Sequence, residues 1–376
     1  MIRLTLAQFE MKHLLKSKIN YIFMLAILCV MLIPTFLDRK EAISEVELFQ
    51  ATFDKNSEVI ENMTDTPEAS EMVADLKKLN YILQPLIAEL QSGNDIAALS
   101  LEYNYEKKNL EDLESGKLFG VPIHEQKKLV AELEYLSNQN MAKVNNNQPQ
   151  NLTFINYFIL IFSDFISGPY LLLALSLLVV TIVSFEKRNN NVAVLNLIPK
   201  KISHIFFERY FISLGFAVIS VLLPLLLTYI VVSLKNGSGN INYPVVFTER
   251  SIEVSIMPAI TFIIQIISLI FLWIICFVSI TSFVVLFSGN FFLNSFILLS
   301  LIFISQYSPL NSLSNKAILG YLPTSYINFT EVVLGGHFVP LPADSITYEN
   351  GVVTLSLCST IILILTFFIL KQRKRL

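Results

Sequence analysis

PAITFIIQIISLIFLWIICFVSITSFVVLF, residues 258–287, contains no charged side chain. At a rise of about 1.5 Å per residue, a helix of that length exceeds the ~30 Å hydrocarbon core of a bilayer. Lipid offers no hydrogen-bond partner to an open backbone, so such a run crosses as a helix. Before it stands 210–234, apolar with Pro224 inside; after the turn Ser288-Gly289-Asn290 comes 291–304. Residues 19–37 and 352–370 read as further spans. Residues 152–185 are too long for one simple span and are interrupted by Asp164, Gly168 and Pro169. Proline allows a break there, so an interfacial piece followed by a span from about Tyr170 is expected. The run 19–37 lacks a small-x-small cleavage site and is read as a retained first span. The expected fold class is an all-α membrane protein of six transmembrane helices. Strand-sized alternating segments are not evident, which argues against a barrel. Composition agrees: 53% of residues are AVILMFWYC and 15% are charged, against about 25% charged in soluble domains.

The charge is partitioned. Residues 38–151 hold 21 Asp and Glu against 11 Lys and Arg, a net of −10, whereas the remainder carries +7. The block reads as a helical domain between spans one and two. Val46, Phe49, Phe53 and Ile60 recur at three- and four-residue steps. Met72, Leu76, Leu79, Leu83, Leu86 and Leu90 keep a heptad-like rhythm, and Leu129, Leu133 and Leu136 repeat it. Gly93 and the Gly116/Gly120/Pro122 cluster mark turns, and 145–149 is a linker back to the membrane. Cys29, Cys276 and Cys358 all lie in apolar runs, so no disulfide holds the acidic block and buried apolar positions are expected for the three.

Basic residues set the orientation. Residues 1–18, 186–209 and 371–376 together carry 13 Lys and Arg, whereas 235–257 and 305–351 carry Lys235, Arg250 and Lys316. The positive-inside rule then puts both termini in the cytoplasm and the acidic domain outside. Residues 1–18 read as an amphipathic interfacial helix, with Ile2, Leu6, Phe9, Leu14 and Leu15 on one face and Arg3, Lys12, Lys16 and Lys18 on the other. The expected location is the plasma membrane, and the Asn-, Ile- and Lys-rich usage looks bacterial. No basic field suited to nucleic acid is present.

The cytoplasmic loop 186–209 runs from Glu186 through Val194, Leu195, Leu197 and Ile198 to Pro199, Lys200 and Lys201. A short amphipathic helix lying on the membrane suits docking to a soluble partner. The loop resembles the coupling-helix region of type-2 ABC exporter permeases. That family has a Glu at the end of span two, a Gly-Thr pair, a Leu-Leu pair and a Pro thirteen residues after the Glu, followed by a basic residue. Glu186, Leu195 and Pro199 fall at the matching offsets; Asn190 and Asn191 replace Gly-Thr, and Asn196 replaces the second Leu. The layout matches over nearly the whole chain, including half-penetrating helices expected within 305–351. The resemblance implies a second permease copy or paralogue and two cytoplasmic ABC ATPase subunits as partners, with membrane lipid around them. It implies that ATP and Mg²⁺ sit on the ATPase and that no cofactor belongs to this chain, whose role is transport rather than catalysis. Export of a hydrophobic or amphipathic peptide, antimicrobial or lipid-like compound follows from it. The alternative is a membrane sensor or immunity protein that binds an extracellular ligand without moving it.

Other chemistry finds little support. The Gly116-Lys117 pair lacks the upstream glycine of a phosphate-binding loop. His124-Glu125 opens like a zinc-protease signature, but Lys128 stands where the second His is required. His13, His124, His204 and His337 show no ligand spacing, so no metal site is expected. Asp164, Gln265, Asn294 and Gln306 are the polar residues within apolar runs that could line a substrate path. The acidic domain could bind a cationic peptide or a partner protein.

Overall fold

The computed structural model describes residues 6–36, 44–63, 67–118, 120–144, 148–166, 168–184, 201–248, 253–304, 320–335 and 345–372. The protein is predominantly helical. Helices α1 (Leu6–Lys16) and α2 (Lys18–Leu32, continued as a 3-10 turn Ile33–Phe36) lead into an acidic domain of α3 (Glu45–Asn62), α4 (Pro67–Ser92), α5 (Asp95–Glu114) and α6 (Ile123–Gln139). Then follow α7 (Phe154–Leu160), a π-helical stretch Ile161–Phe165, α8 (Gly168–Val183) and α9 (Ile202–Asn236). A hairpin of β1 (Pro244–Thr248) and β2 (Val254–Pro258) feeds directly into α10 (Ala259–Phe287). The chain continues as α11 (Phe291–Ile304), a 3-10 turn Pro323–Tyr326, the short α12 (Phe329–Leu334) and α13 (Tyr348–Gln372).

Among the described residues, Lys18–Phe36, α9, α10 and α13 are long and apolar enough to cross a membrane. The bent pair Phe154–Phe165 and Gly168–Val183, turned by 93°, makes a fifth if it is one span. Helix α11 has 14 residues, about 21 Å at the helical rise, short of a bilayer core by itself. The apolar core is built round α8 and α10, whose Leu172, Leu175, Leu178, Val179, Phe262, Ile266, Leu269 and Phe277 are sealed from solvent. Outward, α2, α9 and α13 present large apolar side chains such as Leu25, Leu226 and Leu365. In water such faces would be costly, whereas in lipid they are at home. Cys29 is exposed on such a face of α2 rather than buried as expected; Cys276 is buried and Cys358 half-buried.

Local chemistry explains where helices start and stop. Ser44 and Glu47 close a reciprocal capping box on α3, each side chain bonding the other's backbone N–H at 3.1 Å. Asn140, at φ 50°, ends α6 in the left-handed region. Pro224 does not break α9, whose run of 35 residues begins at Ile202, inside the stretch read as loop. The first N–H groups of α7 lack intrahelical partners. Those of Phe154 and Ile155 bond instead to the carbonyls of Gly237 and Ser238, at 3.0 and 3.1 Å. The Asn236 side chain completes the joint by donating 2.8 Å bonds to the carbonyls of Gln150 and Leu152.

The acidic domain is a meander in which each helix packs on the next. Phe49, Leu83, Leu86, Ile87, Ala98 and Tyr105 form its own small core, with Val46, Phe53, Leu79 and Leu90 against it. The heptad seam is thus real from Leu79 to Leu90, whereas Met72 is exposed. Leu99, Leu133 and Leu136 belong instead to the main core, so α5 and α6 join the domain to the apolar helices. Residues 235–257 read from their composition as a polar outside loop, but they carry most of a β-hairpin. Pro244 to Thr248 pair antiparallel with Pro258 to Val254, and α6 packs on both strands.

Candidate functional site

Two places gather polar side chains against the apolar helices. The first lies where α8 ends and α9 begins. Asn294 on α11 is buried and donates a 3.0 Å bond to Ser184 Oγ, just past the end of α8. Lys201 occupies the N-cap position of α9. Two turns further on, Arg209 Nε lies 2.9 Å from Glu10 Oε1 on α1, with the Glu10 side chain 8% exposed and that of Arg209 20%. Burying an unpaired carboxylate costs several kcal/mol. The amphipathic helix therefore turns Glu10 inward while Leu15, expected on its apolar face, is exposed; Leu14 is buried as expected. Both helix ends that flank residues 185–200 are tied to neighbours, one to α11 and one to α1.

The second place is a cleft of about 450 Å³ between α6, β1, the α7 and π-helical segment, and α12. Glu125, Lys128 and Glu132 reach it from α6, Asn156, Ile159, Ser163 and Asp164 from the bent segment, Tyr243 and Val245 from the hairpin, and Leu334 from α12. Burial pushes the Glu132 carboxyl up, against the pull of Lys143 and of the Tyr243 hydroxyl, which lies 3.5 Å from Glu132 Oε1. Lys143 is held between Glu102 and, at 3.1 Å, Glu45. Burial lowers the Lys143 ammonium, but those two carboxylates overcome it and keep the charge on. Lys128 Nζ is 3.2 Å from Glu125 Oε1. The cleft thus balances one base against one acid and leaves Glu132 and Asp164 in excess.

Beside the cleft, α6 is stitched to the hairpin by His124 Nε2 and Thr248 Oγ1, 3.0 Å apart. The other ring nitrogen is buried without a hydrogen-bond partner. Burial, then the charge of Lys128, lowers the His124 pKa from its ordinary 6.5; Glu125 opposes and Lys127 adds a smaller push in the same direction as Lys128. Between the folded and unfolded values the unfolded chain binds more protons. The stitch therefore contributes fully above pH 6.5 and is lost as pH falls through the lowered folded value. Limited proteolysis across pH 7.5 to 5 should show the α6–hairpin joint loosening in the native chain. His124→Gln, which keeps a bond to Thr248 but does not titrate, should show a flatter profile.

Of the residues singled out by sequence, Asp164 lines the cleft, Asn294 braces the end of α8, and Gln265 is half-buried on α10. Glu186, Val194, Leu195, Leu197, Ile198, Pro199, Lys200 and Gln306 lie outside the described residues. The cleft's other polar members, Glu132, Asn156 and Tyr243, were not foreseen. Among the described residues no group of three or more His, Cys, Asp or Glu could hold a metal ion. No family model, no curated protein and no solved structure matches the chain.

Proposed function

We propose that this chain is the membrane subunit of an ATP-driven exporter, crossing the plasma membrane six times with both termini inside and the acidic domain outside. Residues 186–201 dock on a cytoplasmic ABC ATPase, which holds the ATP and Mg²⁺, and a second copy or paralogue of the chain completes the pathway. The observation that carries the reading is the bracing of the two helix ends around that loop. Asn294 ties the end of α8 to α11, and the Glu10–Arg209 pair ties the start of α9 to α1. A loop hung between braced helices passes a push from a soluble partner to the spans, whereas a loop on frayed ends would absorb it. The match of Glu186, Leu195 and Pro199 to the coupling-helix offsets supports the same reading, as does the basic bias of the flanks.

Two measurements test it on the full chain in native membranes. An ABC ATPase encoded beside the chain, co-expressed and tagged, should co-purify with it. A single cysteine placed by Leu195→Cys, in a chain whose other three cysteines are replaced by alanine, should react with a membrane-impermeant maleimide only in inside-out vesicles. Labelling from the outside overturns the topology. Failure of any such ATPase to associate overturns export and leaves the sensor reading.

A further inference from the structure

We propose that Cys276 on α10 and Cys358 on α13 form one oxidation site, a dithiol that a membrane-soluble hydroperoxide closes to a disulfide stapling the two helices. The argument starts from register. Helices α10 and α13 pack on each other, and near their first turns Ser268 Oγ and the Tyr348 hydroxyl lie 2.9 Å apart. Cys276 stands eight residues beyond Ser268, and Cys358 ten beyond Tyr348. At the helical rise these are advances of about 12 Å and about 15 Å. Two helices running in the same direction therefore bring the cysteines level, and their thiols hydrogen-bond to each other. The side chain of Ser359, next along α13, hydrogen-bonds Cys276 as well. Two separate contacts thus turn Cys276 toward α13 at this level.

Burial then decides which reagent reaches the pair. Cys276 is 1% exposed, whereas Cys358 is half-buried. On α13, Gly351, Leu355 and Ser359 are buried at the four-residue spacing of an inward stripe. Val353, Leu357 and Ile361 are exposed, on the side that suits lipid. Cys358 stands between the two sides, so a reagent dissolved among acyl chains meets it before Cys276. Its sulfur attacks the terminal oxygen of the hydroperoxide, the O–O bond breaks, and the thiol proton passes to the departing alkoxide. The products are an alcohol and the Cys358 sulfenic acid. The Cys276 sulfur then attacks the sulfenic sulfur, its proton joins the leaving hydroxyl as water, and the S–S bond forms. Two electrons have passed from the thiols to the peroxide. Each proton goes straight to a leaving oxygen, so no free ion remains in a medium where charge is costly. Sulfurs already at hydrogen-bonding distance reach a bond of about 2.05 Å by turning about χ1. The site stands whether or not the chain exports.

The test uses the full chain, reduced beforehand, in nanodiscs of saturated phosphatidylcholine. Remaining thiols are blocked with maleimide in dodecyl sulfate, and the Cys276–Cys358 linked peptide is quantified by mass spectrometry. Cumene hydroperoxide, which enters the bilayer, is the oxidant, and hydrogen peroxide tests the phase from which attack comes. Each rate is divided by the rate of the same peroxide with glutathione in solution. The native chain should link Cys276 to Cys358, at least tenfold faster with cumene hydroperoxide on that scale. Cys29→Ser, at an exposed position on another helix, should link at the native rate within twofold. Leu357→Cys combined with Cys358→Ser moves the thiol one residue, to the exposed side, and should link to Cys276 at least tenfold less. The oxidised native chain should also melt at a higher temperature than the reduced chain, whereas Cys358→Ser should not gain on the same treatment. Absence of the linked peptide after prolonged exposure overturns the site. So does linkage through position 357 as fast as through Cys358, because free sliding of the helices then explains the bond. Equal normalised rates for the two peroxides overturn attack from the lipid.

Discussion

Arg209→Leu should lower the stability of the protein by about 3 kcal/mol or more, because it strands a carboxylate that is almost fully enclosed. Glu10 keeps 8% of its side-chain exposure and Arg209 20%, so solvent screens the pair little. Leu14 and Met11 of α1 contribute to the same core, and the buried Asn20 side chain donates a 3.0 Å bond to the Leu14 carbonyl at the α1–α2 corner. Losing the ion pair therefore loosens the corner as well as the contact with α9. Glu10→Gln should cost less, about 1–2 kcal/mol, because the amide keeps the shape and a polar oxygen beside the guanidinium and leaves the unpaired charge on Arg209, the more exposed of the two. The double variant Glu10→Leu with Arg209→Leu should be more stable than the sum of the singles by about 2 kcal/mol, since each single leaves a charge behind and the double does not. Trp273 is the sole tryptophan and is 1% exposed, so its emission reports unfolding of the core in detergent directly. Strict additivity in that cycle means the two residues do not share a contact.

How much of this could be read in advance depended on whether the signal was local. Apolar runs are local, and α10 begins one residue after its sequence-derived start and ends where expected. The hairpin is a fair miss with a visible cause. Pro244-Val-Val-Phe-Thr and Val-Ser-Ile-Met-Pro are β-branched segments of strand length, but each is five residues long in a stretch otherwise rich in Asn, Gly and Ser. Pairing at distance, and packing of α6 on the ladder, decided the matter. Met72 shows the opposite error. It keeps the heptad phase but lies in the second turn of α4, where half of it is exposed.

Candidate-site residues divide the same way. Asp164 was visible because a carboxylate in an apolar run is costly without a role. Glu132 and Tyr243 carried no such mark, since an acid in an acidic helix and a tyrosine in a loop are ordinary. Their significance comes from a contact across 111 positions of chain, and spacing along the sequence holds no record of that. Asn156 sat inside the run 152–185 and could have been noticed by the reasoning that found Asp164, being a second polar group there.

Gly335→Ala is expected to cost about 3 kcal/mol, a left-handed backbone and a collision together, and three glycines together show why. At Gly335 the backbone is left-handed, φ 72°, and an added Cβ would lie 2.1 Å from the carbonyl oxygen of Thr248. Conformation and collision both oppose the substitution. Gly116 has the same backbone, φ 73°, with open space around it, so Gly116→Ala should cost the conformational part alone, about 1 kcal/mol. Gly168 has no positive φ, but its Cβ would fall 2.3 Å from the carbonyl oxygen of Ile327, so Gly168→Ala measures a collision alone, about 2 kcal/mol. Both collisions involve backbone, which cannot swing aside as a side chain does. They fall at the two ends of α12: its entry lies against the start of α8, and its last turn against β1, whose Thr248 also bonds His124. Moving α12 drags on Tyr326, whose carbonyl accepts a 3.0 Å bond from the Trp273 indole. The emission of Trp273 should therefore shift to the red in Gly168→Ala and Gly335→Ala but not in Gly116→Ala. Melting of the three variants beside the native chain checks the order, and a loss at Gly335 no larger than at Gly116 means that α12 is not seated on the hairpin.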